Sequence, residues 1–334
     1  MLTARENLLE TIHGGRPDRF VNQFEFMKVI YGSPFFDLHN GPVLEPGVMY
    51  AKNAWGITFS WPEDMPGEFP EHSDEYLLLK DILDWKETIH APDLDYPVEE
   101  WEPYIKEANS VDRKEQFVAS VMWPGIFDQL HNFMDIPQTM MNFYEEPEAM
   151  KELIDYIAEW EMRYADQICQ KIHPNAVFHH DDWGTQLSTF ISPSMFEEFL
   201  LEAYCKVYER YRKNGVELIV HHSDSYAATL VPYMIDMGID IWQGAMTSNN
   251  IPELISKYGG KISFMGGIDS ASVDYPGWTR DKVRSEVRRA CSECGNMFFI
   301  PNTTQGLDAS TFPGVYEAVS EEIDLYSREY FRLK

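Results

Sequence analysis

Glu217-Leu-Ile-Val-His-His-Ser-Asp-Ser225 is an apolar run, Leu218 to Val220, that ends abruptly in two histidines and an aspartate. Burial stabilises a strand through its three aliphatic side chains, and nothing in burial favours the polar ones that follow. Upstream, Ala176-Val-Phe-His-His-Asp-Asp-Trp-Gly184 ends in the same way. Parallel α/β barrels bury the bodies of their strands and place catalytic residues at the C-terminal tips. Two copies of the pattern in one chain predict such a barrel, and an enzyme.

Working outward from these stretches, eight β-like runs can be marked: Phe20–Phe26, a weaker Gly56–Ser60, Phe117–Trp123, Ala176–Asp182, Val216–His222, Gly238–Gln243, Lys261–Gly267 and Met297–Pro301. Most are followed by helical periodicity, and strands alternating with helices imply parallel pairing. The expectation is an α/β fold, a (β/α)8 TIM barrel in one domain over residues 1–334. Helix punctuation agrees. Ser192-Pro193 supplies an N-cap and a first-turn proline, and Asn214-Gly215 supplies a stop. Between them Phe196, Phe199, Leu200, Ala203, Tyr204 and Val207 recur at intervals of three and four, as one buried face requires. Thr279 opens another helix that stops at Gly295. Residues 34–103, rich in Pro, Trp and acidic side chains, break this rhythm. They read as an irregular N-terminal excursion around the second strand, expected to form part of the pocket wall.

The 334 residues are 44% apolar and 14% aromatic, ample for a large core, and carry a formal charge of −28. Nucleic acids and anionic membranes are bound by clustered Lys and Arg, so this balance argues against both. Acidity favours solubility and helps choose partner proteins. Met1–Gly15 carries Arg5, Glu6 and Glu10 among its apolar residues and reads as an amphipathic helix rather than a signal peptide. No run approaches the ~20 apolar residues of a membrane span. Cys169, Cys205, Cys291 and Cys294 show no disulfide-framework spacing, so a cytoplasmic setting with reduced thiols is expected. Cys291 and Cys294 have metal-like spacing but no second pair, and read as packing residues on a helix end.

Residues two apart on a strand face the same way. His222 and Asp224 are thus expected to project together, as are His180 and Asp182. If the strands are neighbours, both pairs meet at the barrel mouth. Three readings stand open there: a Zn²⁺ site, a proton-transfer pair in which carboxylate orients imidazole, or a hydrogen-bonded polar layer that merely closes the barrel. Glu25, expected at the tip of the first strand, is a candidate catalytic carboxylate or a solvated strand end. Gln243 in Trp242-Gln-Gly244 and Asp269 in Gly266-Gly-Ile-Asp269 end their strands where catalytic loops begin. Trp183, with Phe24, Phe26, Trp55, Trp61, Trp123 and Trp242, offers surface for a flat apolar pocket, or simply core.

His222-Ser-Asp-Ser225, Met237-Gly-Ile-Asp-Ile241, Tyr258-Gly-Gly-Lys-Ile262 and Phe264-Met-Gly-Gly-Ile-Asp269 resemble, in order and spacing, the uroporphyrinogen decarboxylase superfamily. Asp181-Asp-Trp-Gly184, Ile191-Ser-Pro193 and Thr311–Ala318 continue the resemblance, which covers roughly residues 115–330. It implies the same (β/α)8 barrel and two chemistries. The decarboxylases proper bind a substrate with eight carboxylates and carry an arginine-bearing motif after the first strand. Here that stretch is Phe24-Glu-Phe-Met-Lys28, without arginine, which argues against their activity. The other branch holds cobalamin-dependent methyltransferases, many of which bind zinc through a His-x-Cys pair and a later cysteine. His222 matches that histidine; Asp224 stands at the first cysteine position and Gln305 near the second.

The resemblance therefore implies a corrinoid-dependent methyltransferase, the O-demethylase component that takes a methyl group from a small methoxylated aromatic. Expected partners are a corrinoid-binding protein carrying the cobalamin cofactor and the aromatic donor. Zn²⁺ held by His222 and Asp224 is a candidate cofactor, and a homodimer is a candidate assembly. The catalytic candidates are His222, Asp224, Asp182 and Glu25. The donor-binding candidates are His180, Trp183, Gln243, Asp269 and Gln305. Alternatives are methyl transfer from the corrinoid to a thiol or pterin, decarboxylation of a smaller acid, and non-catalytic sequestration of an aromatic or corrinoid.

Overall fold

The computed structural model describes residues 1–63, 65 and 67–332. Its strands are β1 (Met27–Ile30), β2 (Ala51–Lys52), β3 (Thr58–Ser60), β4 (Phe69–Pro70), β5 (Phe117–Met122), β6 (Ala176–His180), β7 (Leu218–His222), β8 (Ile241–Ala245), β9 (Ser263–Ile268) and β10 (Phe299–Thr303). Seven of them form a curled parallel sheet in the order β1-β5-β6-β7-β8-β9-β10. Its edges, β1 and β10, do not pair with each other. The architecture is thus an α/β fold of TIM-like form left open at one seam, not the closed eight-stranded barrel expected.

Two expected strands account for the difference. Gly56–Ser60 contributes β3 to a separate antiparallel sheet, β2-β3-β4, outside the parallel array. The first parallel strand begins at Met27, after the expected Phe20–Phe26. Gln23 adopts a left-handed φ of 49°, and turns closed by Glu25 N to Asn22 O and Met27 N to Phe24 O break the extended run. Phe24 and Phe26 are buried all the same, in the core inside the curled sheet.

Alternation along the strands sorts their side chains into two cores. Ala119 and Val121, Ala176 and Phe178, Leu218 and Val220, Ile241, Met265 and Ile300 point inward and pack with Phe24 and Leu8. Their alternates, among them Val118, Val177, Ile219, Trp242, Phe264 and Phe299, face the helices. The helix punctuation operates as the sequence implies. Ser192 Oγ accepts from Met195 N at 3.3 Å, and the helical run from Pro193 to Lys213 ends at Asn214. Thr279 caps helix Arg280–Cys294. At the N-terminus, Thr3 and Glu6 form a capping box on helix Ala4–Ile12.

Residues 34–103, apart from 64 and 66, which lie outside the described residues, pack against the helical layer. Phe35 and Trp55 stack edge-on upon Trp160 of helix Pro147–Ile172, at 5.0 and 5.1 Å between ring centroids. Among the described residues no helix is long and apolar enough to cross a membrane.

Candidate active site at the tips of β6, β7 and β8

The parity that sends Phe178, Val220 and Ile241 inward carries His180, His222 and Gln243 inward one step nearer the C-terminal end. His180 pairs with His222 in strand register, and His222 with Gln243. Here the apolar filling stops and a cavity of about 250 Å³ opens. His180, His222 and Asp224 form its polar wall; Val121, Phe178 and Leu307 are apolar, and Tyr31, Trp123 and Gly306 complete the lining. None of the described residues 34–103 reaches it, so the excursion does not supply the expected wall.

The neighbouring histidines are the other half of each pair and turn outward. His179 Nε2 lies 3.0 Å from Glu161 Oε2 in the helical layer, both fully buried. His221 Nε2 donates to the Asp181 carbonyl at 3.2 Å, so its Nδ1 accepts from the Tyr208 hydroxyl at 2.7 Å. Each His-His pair therefore divides its labour: one ring holds the helices, the other faces the cavity. Trp183 belongs to the holding set. It is buried, stacks on His221 at 4.0 Å and donates through Nε1 to the Tyr204 hydroxyl, so it does not line the cavity as expected.

Inside, the His180 and His222 rings stack at 4.4 Å. One ligand atom each from His180, Asp182 and His222 falls within 4.8 Å of the others, a grouping suited to a metal ion. Asp224 is not in that group: its backbone N–H donates to Asp182 Oδ1 at 2.9 Å, and its side chain lines the cavity beside it. His222 Nδ1 is hydrogen-bonded to Gln243 Oε1, and Gln243 Nε2 to the Gly306 carbonyl at 3.5 Å. An amide oxygen only accepts, so His222 carries its proton on Nδ1 and leaves Nε2 bare.

The charges are arranged unevenly. Burial, with His180 adding to it, pushes His222 down to about 3, so it is a neutral base rather than the acid of an Asp–His pair. Burial and the Asp182 carboxylate push Asp224 up to about 7. Burial disfavours a charge on His180, but Asp128 and Asp182 outweigh it and raise that ring to about 9. Burial also opposes a charge on Asp128, yet His131 and His180 hold it below the usual carboxylate range.

Three further candidates lie elsewhere. Glu25 sits in the turn ahead of β1, at the N-terminal end of the sheet and opposite the cavity. There Arg19 Nε approaches it at 3.7 Å. Its expected place at a strand tip followed from starting that strand several residues too early. Asp269 follows β9 and binds the Ser272 hydroxyl and, through its N–H, Glu286 at 3.0 Å, outside the cavity lining. Gln305 is exposed, with its N–H donated to Ser270 Oγ at 2.9 Å; its neighbours Gly306 and Leu307 line the cavity instead. Two residues escape sequence reasoning. Tyr31, immediately after β1, lines the cavity and donates its hydroxyl to Asp308 Oδ1 at 2.6 Å across the open seam. Asp128 contacts His180 from a helix. The run Met27-Lys-Val-Ile-Tyr31 is a usable signal for the first, obscured by the phenylalanines before it.

No curated protein matches the sequence. A methyltransferase from Methanosarcina mazei shares the fold, with a TM-score of 0.70 at 14% identity over 98% of this chain and 99% of that one. A Listeria monocytogenes protein provisionally named as a vitamin-B12-independent methionine synthase reaches a TM-score of 0.41 at 11% identity, over 73% and 71% of the two chains. The family model for uroporphyrinogen decarboxylase (URO-D) matches residues 113–326, which include every strand from β5 to β10 and the whole His180–Asp182–His222 cluster. The chain belongs to the uroporphyrinogen decarboxylase family.

Proposed function

We propose that this chain is a methyltransferase that takes a methyl group from a small methoxylated aromatic and passes it to a corrinoid carried by a partner protein. The observation that carries the reading is the meeting of His180, Asp182 and His222 beside a cavity walled by Phe178, Trp123, Val121 and Leu307. At about 250 Å³ it is smaller than the ~300–1,000 Å³ typical of drug-sized ligands and suits a single ring. The fold shared with a methyltransferase agrees with this reading. Among the described residues no arginine or lysine lines the cavity, so a polycarboxylate would find only the His180 ring as a cationic partner there. No described cysteine lines it either, which counts against a thiolate-rich zinc site and favours the aromatic donor over a thiol acceptor.

Two imidazoles and a carboxylate fit Zn²⁺, and His222 meets the usual requirement that the non-ligating ring nitrogen be held by a neighbour, here Gln243. His180, Asp182 and His222 would hold the ion, in place of the expected His222–Asp224 pair, and it would supply a Lewis acid for the leaving oxygen. Asp224 stands beside the cluster as the proton donor to that oxygen. Phe178 and Trp123 flank the donor ring. The corrinoid supplies the nucleophile that receives the methyl group.

The test is methyl transfer from a panel of methoxybenzenes to a reduced corrinoid protein. The wild type should turn over at least one donor, and His222→Ala, folded, should lose most of that activity. Wild-type-like turnover by the variant would reject the assignment.

A further inference from the structure

We infer that Asp128 is the positioning residue of this site, its carboxylate orienting the His180 imidazole toward the cluster as Gln243 orients His222. The inference rests on reading His180, Asp182 and His222 as a metal site.

Asp128 lies in the first turn of helix Ile126–Met134 and is only 8% exposed. Its Oδ2 lies 3.4 Å from His180 Nδ1, within ion-pair reach of a buried ring nitrogen that has no hydrogen-bond partner of its own, and it accepts from the Asp182 N–H at 3.3 Å. Its Oδ1 takes the Nε2 proton of His131 at 3.0 Å. One carboxylate thus touches the ring of one proposed ligand and the backbone of another. With Nδ1 facing Asp128, Nε2 is the nitrogen that His180 would offer a metal ion, its proton leaving as the ion binds.

Asp128 is itself held from the strand it serves. Asp181 Oδ1 accepts from the Asp128 N–H at 2.8 Å and Oδ2 from the Phe127 N–H at 2.9 Å, satisfying donors that a helix start leaves open. The Tyr204 hydroxyl donates to the same Oδ2. The approach is so close that a Cβ on Gly125 would lie 2.5 Å from Asp181 Oδ2. Three consecutive residues therefore alternate in role. His180 and Asp182 enter the cluster, and Asp181 between them clamps the helix that carries Asp128. Metal-bound imidazoles depend on such outer partners, whose loss lowers metal affinity by ~10–100-fold.

The test uses the full chain with Zn²⁺ and Co²⁺ as probes. Asp128→Asn should weaken Zn²⁺ binding, read by competition with a chromophoric chelator, by ~10–100-fold. It should also alter the visible bands of the Co²⁺ form while circular dichroism stays as in the wild type. His131→Gln, which changes the side chain that meets Oδ1 rather than Oδ2 of Asp128, should keep near-native affinity. In a His180→Gln background the Asp128 change should add nothing, because it acts through that ring. Equal Zn²⁺ affinity in Asp128→Asn and wild type overturns the inference while the metal site stands. A further large loss in the His180→Gln background, or an equal loss in His131→Gln, also overturns it. A wild type that binds neither ion overturns the metal reading and the inference together. Should Asp128→Asn fail to fold, Asp128→Ser in the same competition assay decides it by the same outcomes.

Discussion

His222 Nδ1 donates to Gln243 Oε1 across the paired tips of β7 and β8, and the bond fixes which nitrogen of His222 is bare. Both side chains are buried, so neither has water as a substitute partner. The pair makes His222 a neutral base or ligand. This differs from the arrangement its sequence neighbour Asp224 implies.

Gln243→Leu removes the acceptor and leaves a buried N–H unpaired. The cost should be about 1–3 kcal/mol of stability, with metal affinity lowered ~10–100-fold. Urea unfolding and chelator competition on the same preparation check both. Stability lost with affinity intact would show that Gln243 only supports the fold.

Asp224→Asn keeps the shape of the cavity wall and removes the proposed proton. Turnover of the methyl donor should fall by ~10²–10⁴-fold with KM nearly unchanged and metal content equal to wild type. Steady-state kinetics on the preferred methoxybenzene decide it, and unchanged kcat would return the leaving oxygen to the metal alone.

The parallel strands from β5 onward are legible because their apolar bodies are continuous and their ends polar, a signal that burial on both faces enforces. The same alternation shows why only half of each His-His pair reaches the cavity: His180 follows Phe178 inward, while His179 follows Val177 outward. What stays hidden depends on backbone turns and on contacts remote in sequence. Gln23 in a left-handed conformation ends the expected first strand before it forms, moving Glu25 to the wrong end and Tyr31 to the right one. Asp128 lies more than fifty residues before His180 on a helix, and no spacing rule links them. Gly56–Ser60 has strand character but pairs with its neighbours in chain order, a choice that short β-like runs do not reveal.

The pair of His179 and Glu161 predicts a pH dependence of stability independent of the cavity. Burial pushes the Glu161 carboxyl up from its ordinary value, outweighing the His179 contact. A carboxyl raised in the folded state binds its proton more tightly there than in the unfolded chain. Stability is therefore highest below the ordinary glutamate range, falls as pH rises toward the shifted value, and changes no further beyond it. Glu161→Gln removes this slope while keeping a hydrogen-bonding group. Urea unfolding from about pH 4 upward should show the wild type losing ground to the variant as pH rises. A gap that does not change with pH would contradict the assignment.

Zinc K-edge X-ray absorption on the zinc-loaded wild-type protein tests most directly whether two imidazoles and a carboxylate build this site. The first shell should contain only nitrogen and oxygen at about 2.0–2.2 Å, with imidazole scattering that drops in His180→Gln and again in His222→Ala. A sulfur shell near 2.3 Å, or a spectrum indifferent to both substitutions, would contradict the account.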